Sequence, residues 1–258
     1  MDDLQNYQSR ERKPLATTYN EYSVLSMPPS SSGGIIITQM LNMMENLQLT
    51  KTDDQTLKFN HYLSECFKRS YADRAEYLGD PEYVKIPISE LTSKTYASQR
   101  FAEIDPNHAS SSQNVHPGLT EKQETTHYNV MDKDGNAVAI TYTINGWFGS
   151  GLVVEGAGFF LNNEMDDFSA KPGAPNMFGL IGNDANAIES GKRMLSSQSP
   201  AIILKDGAAV MTIGAPGGSR IPSSVVQVIL QILSFEMDPQ TAVSKPRLHH
   251  QWYPDTLY

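Results

Sequence analysis

Cys66 is the only thiol in the 258 residues. An internal disulfide framework and any multi-cysteine zinc site are therefore excluded. No run approaches the roughly 18 consecutive apolar residues of a membrane span, so none is expected. Cations are in short supply as well: 20 Lys and Arg stand against 29 Asp and Glu, a formal charge of −9. A field of that sign repels phosphate backbones and argues against a nucleic-acid partner. The first 20 residues are polar and carry no apolar core of the kind a signal peptide needs, so none is expected in them. The six histidines show no HExxH-like spacing, and neither a metal nor an organic cofactor is expected. What remains is a mixed α and β chain, long enough to bury a sizeable core.

Residues 1–20 read as a polar lead-in. In MPPSSSGG, 27–34, two prolines forbid helix and the serines and glycines suit a loop ending at a helix start. Ile36, Met40, Met43, Met44 and Leu47 then recur at helical spacing, as do Leu57, Cys66, Phe67, Tyr71 and Leu78 in a second stretch. Cys66 within that pattern reads as a buried small hydrophobe rather than a nucleophile. The pattern weakens from Ile88, and the Ser-rich stretch 102–124 reads as a mobile linker. At Thr125 the character changes. Thr126–Ile144 is two strand-like runs around Asp132–Asn136, and Ala201–Gly214 is a second hairpin turning at Asp206-Gly207. A helical stripe through Val225, Val226, Ile229, Leu230 and Leu233 closes the pattern. The chain thus reads as a helical part before the linker and a sheet-rich part after it.

Four places can hold chemistry. Thr125 opens a strand directly after the linker. Mid-chain, its hydroxyl is a poor nucleophile. Were the preceding peptide bond cut, the freed α-amine, with a pKa near 7.7–8.0, would be a general base on the same residue. The plain alternative is a β-branched residue at a strand start. Gly217-Gly218 lies between a strand and a helix, where backbone N–H groups can form an oxyanion hole or only a tight turn. Glu164 and Asp167 with nearby amides could grip an ammonium group, and Ser196-Ser197 a carboxylate, although each alone also suits a solvated loop. Pro172–Asn183, with exposed-looking Phe178, suits a lid or an inert surface loop. The His249-His250 pair reads as structural or surface.

Taken together, ETTHYNVMDKDGNAVAITYTIN, LNNEMDDFSAKPG, LSSQSP and GAPGGSR, in that order and spacing, resemble the γ-glutamyltranspeptidase (glutathione hydrolase) family. MPPSSSGG and YADRAEYLGDP resemble the end of that family's large subunit. The resemblance implies an α+β fold, the four-layer αββα sandwich of N-terminal-nucleophile hydrolases, here truncated at both ends. Residues 1–124 would be the C-terminal part of a large-subunit-like region and 125–258 a small-subunit-like catalytic region, forming one composite domain. It implies self-cleavage between Glu124 and Thr125, pairing of the resulting subunits, and a γ-glutamyl ester on Thr125 that water or an acceptor amino acid resolves. Glutathione and other γ-glutamyl compounds would be donors. Thr143 would orient Thr125. Asn145, Glu164 (Gln in some members) and Asp167 would hold the α-ammonium, and Ser196 and Ser197 the α-carboxylate. Gly217 and Gly218 would form the oxyanion hole, and the loop with Pro172 and Phe178 (Tyr in many members) the lid. The family's carboxylate-clamping arginine has no match here, so weak turnover is expected of this chain alone. An inert fragment and a related acylase are the competing readings. A periplasmic or secreted location is implied by the family, not by any signal in the chain.

Overall fold

The computed structural model describes residues 5–114 and 125–258. Two short strands open the chain, β1 (Leu15–Tyr19) and β2 (Tyr22–Ser26). The lead-in is therefore not wholly polar coil. In LATTY, Leu15, Thr17 and Tyr19 alternate with the more exposed residues and form an edge strand. Two later strands, β5 (Ala201–Lys205) and β6 (Ala208–Ile213), are the hairpin foreseen at Asp206-Gly207. The sheet runs β1-β2-β5-β6 and is antiparallel throughout, with Ser23 opposite Leu204 and Ser26 opposite Ala201. Strands from before and after the linker thus share one sheet, and the division into a helical and a sheet-rich part was too simple.

Helix α1 (Gly33–Met44) is buried on every side, with β1 and β2 against one flank and other helices against the rest. Apart from Thr38, Gln39 and Asn42, GGIIITQMLNMM is apolar or glycine, as suits a helix inside a core, and Gln39 and Asn42 donate to Asp73 and to the Thr92 carbonyl. Burying each Leu, Ile or Met side chain there contributes about 1.5–3 kcal/mol. Helix α2 (Leu57–Tyr77) starts where Thr56 Oγ1 accepts the Phe59 N–H at 3.1 Å. Cys66, Phe67, Tyr71 and Leu78 are buried on it as expected, and desolvation pushes the Cys66 thiol well up. Leu57, assigned to the same stripe, is instead 89% exposed at the first turn, before the helix meets its neighbours. Two helices escaped the sequence reading, α3 (Ile88–Leu91) and α4 (Lys94–Ala102), the latter capped by Ser93. In the first part of the stretch read as a linker, Ser110 N–H meets Glu65 at 3.0 Å and Ser112 N–H meets Asp255 at 2.7 Å.

Strands β3 (Thr126–Met131) and β4 (Ala137–Tyr142) form a separate two-stranded ladder around the anticipated turn. Asp132 builds that turn by accepting the N–H groups of Asp134 and Asn136, each at 2.9 Å. The ladder lies against β5 and β6. After the β6 strand comes a one-turn 3-10 helix, Gly218–Arg220, which leads into α5 (Ile221–Leu233). Helix α6 (Pro239–Ser244) is capped by Asp238. Among the described residues no helix is long and apolar enough to cross a membrane.

Candidate active site

The β3–β4 register sets the surroundings of Thr125. Thr126 faces Tyr142 across the ladder. Carried one residue further, the same register sets Thr125 opposite Thr143. Thr143 Oγ1 accepts the Asn145 N–H at 2.8 Å. That local bond holds Asn145 at φ +73°, a left-handed value that Asn tolerates. Asn145 is 3% exposed, and its amide nitrogen donates to the Asn163 carbonyl at 3.2 Å. Asn163 Oδ1 in turn accepts the Gly146 N–H at 2.8 Å. The end of β4 is therefore fastened to the start of the acidic turn, a 3-10 helix over Glu164–Asp167.

One turn of that helix aligns Glu164 and Asp167. Burial pushes the Glu164 carboxyl up to about 7. Asp167 is pushed up to about 8, first by burial and then by the Glu164 charge, with the Arg74 cation opposing. Arg74 only partly offsets that burial, and an ammonium group would supply a nearer cation.

The serine loop, just before β5, is fixed to the segment that follows the neighbouring strand β2. Ser196 O accepts the Ser32 N–H at 2.8 Å, and Ser196 N–H donates to Ser30 O at 3.0 Å. This close approach explains the glycines of MPPSSSGG: a Cβ on Gly33 would collide with Gln198 O and Ser199 Oγ. Gly217 and Gly218 have φ of +130° and +49°, which a side chain resists. They turn the chain from β6 into α5.

Thr125, Thr143, Asn145, Asp167, Phe178, Ser196, Ser197 and Gly218 line a single small cleft. Glu164, Gly217 and Pro172 are not on its wall. Glu164 stands one turn from Asp167, Gly217 directly precedes Gly218, and Pro172 is exposed at the loop's far end. Phe178, read from sequence as exposed, is 4% exposed and forms part of the wall. Its loop is folded on itself: Asn176 Oδ1 accepts the N–H groups of Phe178 and Leu180 at 2.9 and 3.0 Å. Met177 N–H donates to Asp166 at 2.7 Å. Glu124, the other half of the expected cleavage site, lies outside the described residues. Among the described residues no group of three or more His, Cys, Asp or Glu is placed to hold a metal ion.

Sequence reasoning missed Arg74. It is 3% exposed on α2, donates to Ser32 Oγ at 3.2 Å and to Leu195 O at 3.5 Å, and has no carboxylate at ion-pair distance among the described residues. Burial lowers its basicity to about 10. The guanidinium thus stands behind both the serine loop and Asp167. The only signal was its place on the buried side of a helix, where an arginine needs a reason.

The described fold is similar to that of a solved acylase. A cephalosporin acylase structure from Bacillus halodurans superposes over 96% of this chain and 42% of its own, with TM-score 0.76 and 26% identity. The γ-glutamyltranspeptidase family model matches residues 1–258, so the chain belongs to that family. The glutathione hydrolase proenzyme of Escherichia coli K12 is 49% identical over 259 residues, 99% of this chain and 45% of the relative. A solved γ-glutamyltranspeptidase variant from Helicobacter pylori is 57% identical over 51% of this chain and 71% of its own, with TM-score 0.51. The chain spans less than half the length of the curated relatives it matches.

Proposed function

We propose that the chain carries the catalytic half of a γ-glutamyl hydrolase and transferase that matures by cutting itself before Thr125. In maturation Thr125 Oγ attacks the Glu124 carbonyl. The C–O bond forms, the C–N bond breaks, and the proton passes to the threonine nitrogen. Water then hydrolyses the ester, leaving a Glu124 carboxylate and a Thr125 α-amine. In catalysis that amine takes the hydroxyl proton while Oγ attacks the γ-glutamyl carbonyl. The leaving amine departs with a proton, and water or an acceptor amine releases the γ-glutamyl group.

The observation that carries the reading is the single cleft. It joins a hydroxyl at a strand start to a buried acid of raised pKa, paired serines and a glycine turn. The acid end suits an α-ammonium and the serine end an α-carboxylate, the two charges of a γ-glutamyl donor. Gly217 and Gly218 N–H groups would stabilise the oxyanion. Thr143, held by Asn145, would orient Thr125, and the loop bearing Pro172 and Phe178 would shield the ester from bulk water. Donors would be glutathione and related γ-glutamyl compounds. The cut pieces would remain paired, in the periplasm or outside the cell as the family resemblance implies. An acylase of different specificity is disfavoured by a cleft that pairs an acid end with a hydroxyl end, a fit for both charges of a zwitterion.

Intact mass spectrometry of the purified chain tests the first step: two species summing to the precursor plus one water are expected, and none from Thr125→Ala. Cleavage that persists in Thr125→Ala would end the mechanism. Release of a chromogenic amine from a γ-glutamyl anilide tests the second, and turnover of glutaryl but not γ-glutamyl anilide would favour the acylase.

A further inference from the structure

Gln251 lies outside the cleft, yet it touches two of the cleft's parts. Its side chain is in a residue only 7% exposed. Nε2 donates to the carbonyls of Phe178 and Gly179, each at 3.2 Å. Oε1 accepts from Ser219 Oγ at 2.7 Å and lies 2.9 Å from His249 Nε2. Carbonyls only accept, so the NH2 end of the amide must face the loop and the oxygen must face Ser219 and His249. That oxygen also accepts only, which puts the imidazole proton on Nε2. His249 Nδ1 is then an acceptor facing Ser223 Oγ at 2.8 Å, and it competes for the one hydroxyl proton with the Arg220 carbonyl at 2.9 Å. Burial lowers His249 to about 4, which keeps the ring neutral and in this arrangement at neutral pH. Both donors and the acceptor oxygen of the amide are engaged. Ser219, meanwhile, is the residue after Gly218, and its carbonyl is held by the Tyr71 hydroxyl.

We propose that Gln251 is a positioning residue that ties the Pro172–Asn183 loop to the glycine turn, holding Phe178 in the cleft wall and Gly218 in place together. The loop has no strand or long helix of its own to hold it there. It is attached to the rest of the chain through Met177, which meets Asp166, Asn145 and Asn163, through Asn183, which meets Ala75 and Glu76, through Phe178 and Leu180 in the core, and, beside the glycine turn, through this amide. Loop opening and movement of the turn are thereby linked. The loop attachment stands on geometry alone, while its effect on turnover rests on the oxyanion reading given above.

The test uses the full chain with Gln251→Leu and the isosteric Gln251→Glu, followed by hydrogen–deuterium exchange and compared with the unaltered protein at each pH. In Gln251→Glu the ionised side chain would present a carboxylate to two carbonyls, whereas the protonated acid regains one donor. Exchange at Phe178 and Leu180 is expected to rise about tenfold or more in Gln251→Leu, the scale set by losing two buried hydrogen bonds. In Gln251→Glu it should rise as much at pH 8 and return toward the unaltered ratio as the carboxyl protonates. Unchanged exchange in both variants overturns the proposal. Equal acceleration in the core helix Gly33–Met44 overturns it too, because the effect is then general loosening. For anilide release the expectation is a fall in kcat larger than the change in KM, with the same pH recovery in Gln251→Glu. If the unaltered chain neither cleaves nor turns over, the functional reading has failed while the exchange result still decides the loop attachment.

Discussion

Helix α1 and the β3–β4 ladder are both rich in apolar side chains, but they are differently housed. In α1, Ile36, Met40 and Leu41 are fully enclosed by strands and helices of the same chain. On the ladder and the turns after it, Tyr128, Val130, Tyr142, Trp147 and Phe148 face outward, Trp147 at 79% exposure. The serine loop rests on α1. Thr125, Thr143 and Asn145 belong to the ladder. The cleft therefore has one rigid wall and one wall whose outer face has no cover among the described residues. Stability is concentrated behind Ser196 and Ser197, the proposed carboxylate site, and Thr125, the proposed nucleophile, sits on the less supported side.

Four experiments press on this contrast. Leu41→Ala is expected to cost about 2–5 kcal/mol in urea unfolding, as a buried leucine without room to collapse. A loss under about 1 kcal/mol would show that α1 is not the rigid wall. Gly33→Ala forces a Cβ against the Gln198 carbonyl. It should cost about 1–3 kcal/mol and weaken donor binding along with stability, since Ser196 must shift. Unchanged binding would separate the serine loop from α1.

The third is a pH titration. Burial raises the Asp167 carboxyl to about 8 in the folded chain against an ordinary 3.8. A raised acid means the native state holds the extra proton, so its stability falls as pH rises from about 4 to about 8. Asp167→Asn should flatten that slope in melting curves, and a slope unchanged in the variant would remove Asp167 as its source. A cationic donor reverses the penalty, so affinity should climb over the same range with proton release on binding. Smallest of all, Val130→Ala on the exposed face of β3 should change stability by no more than about 0.5 kcal/mol. A loss of several kcal/mol there would mean that the face is covered in solution and would erase the contrast.

Much of this was legible from the residues alone. Both hairpins announced themselves through Asp132–Asn136 and Asp206-Gly207, because turn chemistry is local. The burial of Met40 and Cys66 followed from helical period. What escaped depended on distant partners. Arg74 falls on the buried stripe between Tyr71 and Leu78, but what it meets there, Leu195, is 121 positions away. Phe178 reads as exposed because its loop is polar and proline-rich, and only the tertiary packing of the loop encloses it. Helices α3 and α4 carry too few apolar residues to show a period, and α4 buries only Ala97. Leu15–Tyr19 is too short and too mixed to read as a strand without its partner β2. The site motifs were recognisable in order and spacing, but their convergence on one cleft is a property of the sheet, not of the text.

The pairing of β2 with β5 has a consequence for maturation. Its rungs join a residue numbered in the twenties to one numbered above two hundred, on either side of the proposed scission. Opening the backbone before Thr125 would leave those rungs intact, so the nicked molecule would stay whole until denatured. Its recovery from denaturant would then depend on the concentration of two separate polypeptides, where the uncut precursor refolds at a rate indifferent to dilution.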